Sequence, residues 1–262
     1  MPARSLALAL ALTLTGCKAV EPAPKELDDL FHWFYDMYEE GTDEQLAEGV
    51  RNLHDVIGDV DEDEPMDGSI TRLSQDQVDA SGRSDAKASN MLGIYSVGIV
   101  GCSVDGMEDI LTYEHQDELF DVYETYSRDY TSSKKAYLDR DTNVVEWDAS
   151  YTTSAIGSEF GADLEEGVRR VPKLDEEQSP FGAFLLLKRV MPEAADFGDS
   201  DKTFKQDYKV EIYYKRARGQ MVHSHGMWRQ ADFGAGFDQD SEGVQRLLLN
   251  GMHDWDEDST GQ

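Results

Sequence analysis

Two apolar stripes at helical spacing lie near the start of the chain. The first stripe consists of Leu27, Leu30, Phe31, Phe34 and Tyr38. Its spacing of three and four residues is that of one helix face, and Gly41 ends it. Thr42 followed by Gln45 is typical of a capping box, which opens a second stripe of Leu46, Val50, Leu53 and Ile57. The pattern predicts a helical hairpin over 26–58.

Beyond residue 130 the apolar period changes to two. In the clearest example, residues 208–214 alternate in side-chain character, the chain turns near Arg218-Gly219, and Met221 to Trp228 returns as a hairpin. Five segments have strand-like composition and are separated by Gly, Pro, Asp and Asn. They are Ala136–Ser154, Phe160–Val171, Phe181–Val190, Phe204–Arg216 and Gln220–Phe233. We expect an antiparallel sheet of about five strands.

The remaining segments complete a prediction of the α+β class. Met91 to Val104 is apolar and suits a buried strand, whereas Gly106 to about Tyr130 has a partial helical stripe. Ser241 to Trp255 predicts a closing helix. The α+β body would therefore span 91–255, after an acidic linker or surface loop over 59–90 and before a polar tail over 256–262.

The order of helix, antiparallel meander and C-terminal helix resembles that of helix-grip, START-like domains. This resemblance is one of element order, without a shared residue motif. It implies a fold that binds lipids or small hydrophobic molecules. Trp147, Tyr151, Tyr213 and Trp228 are candidates for lining such a cavity, although residues of this type in strands more often belong to a plain core.

The first residues carry a targeting pattern. Arg4 precedes an apolar run, Leu6 to Leu12, that is too short to span a bilayer. The following Leu14-Thr15-Gly16-Cys17 resembles the lipobox of bacterial lipoproteins. The resemblance implies that a signal peptide, 1–16, is removed and that acyl chains such as palmitate are attached at Cys17. A lipidated tether over 17–25 would then hold the protein to the membrane.

Lys18 follows the lipobox cysteine where inner-membrane lipoproteins of enterobacteria have aspartate. The resemblance therefore implies delivery to the outer membrane in the cell envelope of a Gram-negative bacterium. The chain carries 54 acidic and 24 basic residues, a formal net charge of -30, which disfavours nucleic acid as a partner. With Cys17 acylated, Cys102 has no disulfide partner, and its apolar surroundings favour a buried thiol over a catalytic one.

His223-Ser224-His225 is the one sequence pattern that invites chemistry. Residues two apart in a strand share a face, so both imidazoles can approach one metal ion, flanked by Met221 and Met227. Such a site needs a further ligand. Candidates are His115, His253 and the many carboxylates. The alternative is a pair of histidines on the sheet surface near an edge.

Other motifs are absent or incomplete. The sequence contains no GxSxG, HExxH or SxxK pattern, and its glycines do not form a nucleotide-binding loop. The acidic run 59–64 lacks the glycine and glutamate of an EF-hand. The sequence therefore identifies no catalytic residue and no cofactor.

Taken together, these patterns predict a lipid-anchored cell-envelope protein acting as a non-catalytic binding or structural component. Its partner would be an apolar ligand or another envelope protein. Two alternatives remain open: a metal-dependent enzyme using His223 and His225, and a lipoprotein of envelope assembly.

Overall fold

The architecture is described for most of the chain after residue 21. The computed structural model covers residues 22–61, 64–155, 158–175, 180–196, 202–232 and 239–260. The predicted signal peptide and Cys17 lie outside these residues. Along the part described, none of the helices combines the length and the apolar character needed to cross a bilayer.

Six α-helices and nine strands form within the described residues. The helices are α1 (Leu27–Glu40), α2 (Asp43–Ile57), α3 (Gln75–Ala80), α4 (Val104–Leu111), α5 (Lys134–Leu138) and α6 (Glu242–Thr260). The strands are β1 (Met66–Ser69), β2 (Leu92–Val100), β3 (Thr125–Tyr130), β4 (Val144–Ala155), β5 (Ser158–Val171), β6 (Phe184–Val190), β7 (Ala195–Asp196), β8 (Thr203–Ala217) and β9 (Gln220–Asp232). Short 3-10 turns occupy Ala88–Asn90 and Gln116–Glu118.

The strands form one antiparallel sheet in the order β1-β2-β9-β8-β6-β5-β4-β3, and β7 pairs with β8. The α+β class is confirmed, but the expected number of strands is wrong. The five predicted segments overlap β4, β5, β6, β8 and β9, but the first, Ala136–Ser154, begins within helix α5. The sheet is larger because β1, β2, β3 and β7 add to it, and two of these four strands are too short to show a clear alternation.

The helical hairpin formed by α1 and α2 packs on one face of the sheet. The capping box at Thr42 is present, with its hydroxyl accepting from the Gln45 amide. A single core joins the hairpin to the sheet residues that face it. Arg169 of β5 further ties the hairpin down by donating to the carbonyl oxygens of Tyr38 (2.9 Å) and Gly41 (2.7 Å).

The opposite face of the sheet is covered by α4 and α6 around a second core. The helix expected over 106–130 is wrong beyond Leu111, because Thr125–Tyr130 pairs with β4 as strand β3. The aromatic residues of this segment have helical spacing, but contacts with the neighbouring strand stabilise an extended conformation instead. The Arg128 guanidinium lies 3.8 Å from the ring centre of Trp147 on the neighbouring strand.

The segment 59–90, expected to be an acidic linker or loop, contains β1 and α3 and is fastened to the sheet. Arg83 is only 2% exposed. Its guanidinium donates to the carbonyl oxygens of Met191 (2.6 Å) and Lys205 (2.9 Å) and pairs with Asp85. Because Met191 and Lys205 are more than a hundred residues away from Arg83 in sequence, local composition could not reveal the attachment.

The polar tail expected over 256–262 is also different, because α6 continues to Thr260. The Thr260 hydroxyl accepts from the Gly101 amide at 3.0 Å. This last turn therefore packs against the end of β2 instead of fraying.

Candidate functional site

A cavity of about 580 Å³ lies between the sheet and α6. Strands β3 to β6, β8 and β9 supply its floor, and α6 covers it. One part of its wall is aromatic and aliphatic: Trp147, Tyr151, Phe160, Phe204, Leu248 and Trp255. The remainder is charged, so the cavity is amphipathic.

Two ion pairs are built into the charged wall. Glu166 of β5 pairs with Arg189 of β6 and accepts from the Trp147 indole nitrogen at 2.9 Å. Asp207 of β8 pairs with Arg229 of β9 at 2.8 Å. Burial alone would raise the pKa of each carboxyl, but the guanidinium beside it prevails, and both pKa values lie below their ordinary range.

Lys209 also lines the cavity. No hydrogen bond or ion pair to its ammonium is found among the described residues. Burial, aided by the neighbouring Arg189, lowers the pKa of Lys209 to about 8, although Glu211 and Asp207 oppose the shift. Lys209 is therefore a cation in the cavity wall that no carboxylate of the described residues contacts.

Next to Lys209 lies a cluster of three side chains, Glu211, His223 and His225. The β8–β9 register places Glu211 directly opposite His225, and alternation along β9 turns His223 to the same face. Glu211 Oε1 is 3.5 Å from His225 Nε2, and Glu211 Oε2 is 3.7 Å from His223 Nε2. The candidate ligand atoms of the three residues all lie within 4.8 Å of one another.

Neighbouring groups hold the cluster in place. Asp256 of α6 lies 2.5 Å from His223 Nδ1. The Tyr213 ring stacks on the His223 ring with centroids 4.2 Å apart, and its hydroxyl donates to Glu211 Oε2 at 2.5 Å. Hydrogen bonds therefore orient His223 and Glu211, while the His225 ring stacks on the His223 ring with centroids 5.5 Å apart.

The three groups have strongly perturbed pKa values. Burial lowers the pKa of His225 well below its ordinary value, and Lys209 and His223 add to this effect. For His223 the same burial is outweighed by Asp256 and Glu211, which raise its pKa to about 9. Burial would raise the pKa of Glu211, but His225 and His223 hold it well below the usual range.

The structure brings together part of what the sequence suggested. His223 and His225 share a face as expected, but they are not on the sheet surface near an edge. They are 2% and 5% exposed on β9, which lies between β2 and β8. Neither His115 nor His253 joins them; His253 instead lies 3.7 Å from Asp67.

Sequence reasoning missed Glu211, Lys209 and Asp256. The first two alternate with Tyr208, Val210 and Ile212 on strand β8, which was a usable sign that polar side chains face a cavity. Asp256 was assigned to the polar tail, and no local sequence pattern indicated that it contacts His223. Of the suggested cavity residues, Trp147 and Tyr151 line the cavity, while Trp228 faces α1.

Cys102 is only partly buried. Burial raises the pKa of its thiol to about 11, so the thiolate is scarce at neutral pH. A catalytic role for this cysteine has no support.

No family model matches the chain, and no curated protein does either. Among solved structures, similar ones include a START superfamily protein from Mycobacterium smegmatis, with 8% identity over 64% of this chain and 94% of that one (TM-score 0.41). Human STARD10 has 11% identity over 73% and 81% of the two chains (TM-score 0.40). The Zhui aromatase/cyclase from Streptomyces sp. R1128 has 8% identity over 65% and 92% (TM-score 0.42). These values describe a distant likeness in architecture, and the functional argument rests on the cavity alone.

Proposed function

We propose that the protein binds an amphipathic ligand, with an apolar body and an anionic head group, in the cavity between the sheet and α6. The observation that carries this proposal is the Lys209 ammonium. It lines the cavity, and no carboxylate of the described residues lies within ion-pair distance of it, although Glu211 and Asp207 act on it from further away.

Lys209 is partly buried. Taking an ammonium group fully out of water costs several kcal/mol unless a counter-charge compensates it, and partial burial costs a share of this. Glu166 and Asp207 are already engaged by Arg189 and Arg229. A carboxylate or phosphate on a ligand would supply the missing partner, and burial strengthens such a charge-assisted hydrogen bond.

The size and the apolar wall of the cavity fit the rest of such a ligand. Small-molecule cavities typically have about 300–1,000 Å³, and this one has about 580 Å³. Phe160, Phe204 and Leu248 lie in its wall and provide contact surface for a hydrocarbon chain or ring system.

The test compares two chemically matched probes, dodecanoate and dodecanol, by titration calorimetry. We expect the wild-type protein to prefer the carboxylate, and Lys209→Met to weaken its binding roughly tenfold to a hundredfold, the loss of one charge-assisted hydrogen bond. The affinity for dodecanol should be nearly unchanged by this substitution.

Lys215→Met is the matched control, because Lys215 lies on the same strand and is exposed. It should bind both probes like the wild type. Equal wild-type affinity for the two probes, binding of neither, or unchanged dodecanoate binding by Lys209→Met would each refute the proposed head-group contact.

We further propose that the protein acts at the outer membrane surface, anchored through acyl chains on Cys17. The support is the lipobox-like Leu14-Thr15-Gly16-Cys17 after a short apolar run. Two or more acyl chains give stable anchoring, which would keep the cavity beside a source of amphipathic molecules.

Labelling with radioactive palmitate tests this location in the native host. Label should enter the wild-type chain and the Cys102→Ser control but be lost in Cys17→Ser, which should also leave the membrane fraction. Unlabelled wild-type protein that retains its first sixteen residues would contradict the anchor.

A further inference from the structure

We propose that Glu211, His223 and His225 form a binding site for one divalent transition-metal ion of the Zn²⁺ type, with an open coordination position towards the cavity. This inference goes beyond ligand binding and does not depend on it.

The first support is a pair of unpartnered nitrogens. Among the residues that the structure describes, neither His223 Nε2 nor His225 Nε2 has a hydrogen-bond partner, although both atoms are buried. A buried polar atom without a partner costs about 1–3 kcal/mol. Two such atoms directed at one carboxylate therefore indicate that another species completes the arrangement.

The spacing of the three groups fits a metal better than a direct contact. A hydrogen bond from an imidazole nitrogen to a carboxylate has a length of roughly 2.7–3.2 Å. The observed separations of 3.5 and 3.7 Å are too long for it. Tetrahedral bonds of about 2.0–2.1 Å to nitrogen and oxygen ligands place those ligands about 3.3 Å apart. The two measured separations run to different oxygens of Glu211, and the three candidate ligand atoms lie within 4.8 Å of one another, so the side chains must move closer together to complete the site.

The surroundings of the cluster have the form that metal-binding histidines usually require. Asp256 Oδ1 accepts from His223 Nδ1 at 2.5 Å, so that a metal ion which displaces the Nε2 proton meets a ring already held in place. The positive charge of Lys209 disfavours the binding of a metal cation nearby, whereas the two carboxylates of Glu211 and Asp256 favour it. The immediate balance of charge therefore favours a divalent ion.

The ligand set indicates which ions fit. Two imidazoles and one carboxylate suit Zn²⁺ and neighbouring transition metals, whereas Ca²⁺ and Mg²⁺ prefer sets made of oxygen. Three protein ligands leave a fourth position free. Because Glu211 and His225 line the cavity, that position is accessible to water or to a bound molecule.

The experiment is titration of the full chain, after dialysis against EDTA, with Zn²⁺ in the presence of excess Mg²⁺. Mg²⁺ occupies weak sites made only of carboxylates, which an acid-rich chain offers in number. We expect one Zn²⁺ per wild-type chain. With Co²⁺ as the probe, visible absorption should indicate coordination by nitrogen ligands.

Four variants make the assignment specific. His223→Ala and His225→Ala should each weaken Zn²⁺ binding at least a hundredfold, whereas His115→Ala, which alters an exposed histidine outside the cluster, should bind like the wild type. Asp256→Asn should reduce affinity roughly tenfold to a hundredfold, because it perturbs the His223 ring without removing a ligand.

Circular dichroism and urea unfolding of each variant without metal separate loss of the site from loss of the fold. If His225→Ala does not fold, Glu211→Gln, which keeps the side-chain volume, takes its place. The site would be disproved by folded wild-type protein that binds no Zn²⁺ above the Mg²⁺ background, or by unchanged affinity in the ligand variants.

Discussion

At the scale of single residues, the cavity wall depends on charges that are paired across neighbouring strands. Glu166 is the central example, since it contacts Arg189 and accepts from the Trp147 indole and from the Tyr126 hydroxyl at 3.2 Å. Removing one partner of such a buried pair is costly because the other charge remains buried.

Glu166→Gln should therefore lower the free energy of unfolding at pH 7 by about 3–5 kcal/mol. The folded-state pKa of Glu166 lies below its ordinary 4.5, so its contribution is complete above about pH 4.5 and is lost as pH falls through the folded value. The difference from wild type should shrink under these acidic conditions. Urea unfolding across the pH range measures it.

Glu165→Gln is the control, because Glu165 is the exposed neighbour on the same strand. It should change stability by no more than about 0.5 kcal/mol. If Glu166→Gln matches this control at pH 7, or if its effect is equally large in acid, the buried pair does not stabilise the fold as described.

The histidine cluster shows how far residue patterns lead. Alternation correctly placed His223 and His225 on one face, because the period of a strand is exact. It could not show that β9 is an internal strand, which decides their burial. The carboxylates that meet them come from β8 and from α6, and sequence spacing does not encode such contacts.

At the scale of elements, β9 connects the helical hairpin with the cavity. Its two faces alternate, so His225 faces the site while Gly226 faces α1. A Cβ atom built on Gly226 would lie 2.6 Å from Phe31 Cδ1. Glycine is therefore needed here for the close approach of α1 to the sheet.

Gly226→Ala should destabilise the protein by about 1–3 kcal/mol, because the added methyl group overpacks the interface between hairpin and sheet. Gly243→Ala in α6 meets no atom within 4 Å and should be neutral or slightly stabilising, since alanine favours helix. Thermal unfolding of the two variants compares them. Equal stability would mean that the hairpin does not contact β9 so closely.

Elements with strong local signals were predictable. The hairpin with its capping box and the five long strands follow from apolar spacing and turn residues. The segment 106–130 was not predictable. Its aromatic residues have helical spacing, but its last residues pair with β4 and form strand β3. The polar composition of the last turn of α6 predicted a tail. The contacts that hold this turn in place, with the end of β2 and with His223, join distant parts of the chain and leave no local pattern.

At the scale of the whole molecule, one sheet has both faces covered, and this explains the burial pattern of β8. Residues 206–208 and 210–214 of that strand are buried, because the hairpin lies on one side and α6 with α4 on the other. The fold class was predictable from the order of elements. The packing of the helical hairpin on the sheet was not predictable, because the sequence indicated a separate hairpin followed by a linker.

The position of β9 in the sheet also governs when the fold can form. It is the last strand of the chain, yet it joins β2 to β8, with Leu92 opposite Arg229. A chain synthesised from its N-terminus therefore leaves β2 without this neighbour, and the cavity without α6, until the final forty or so residues emerge. Pairing between such distant segments is slow. The sheet and the cavity therefore close only when synthesis of the chain is almost complete.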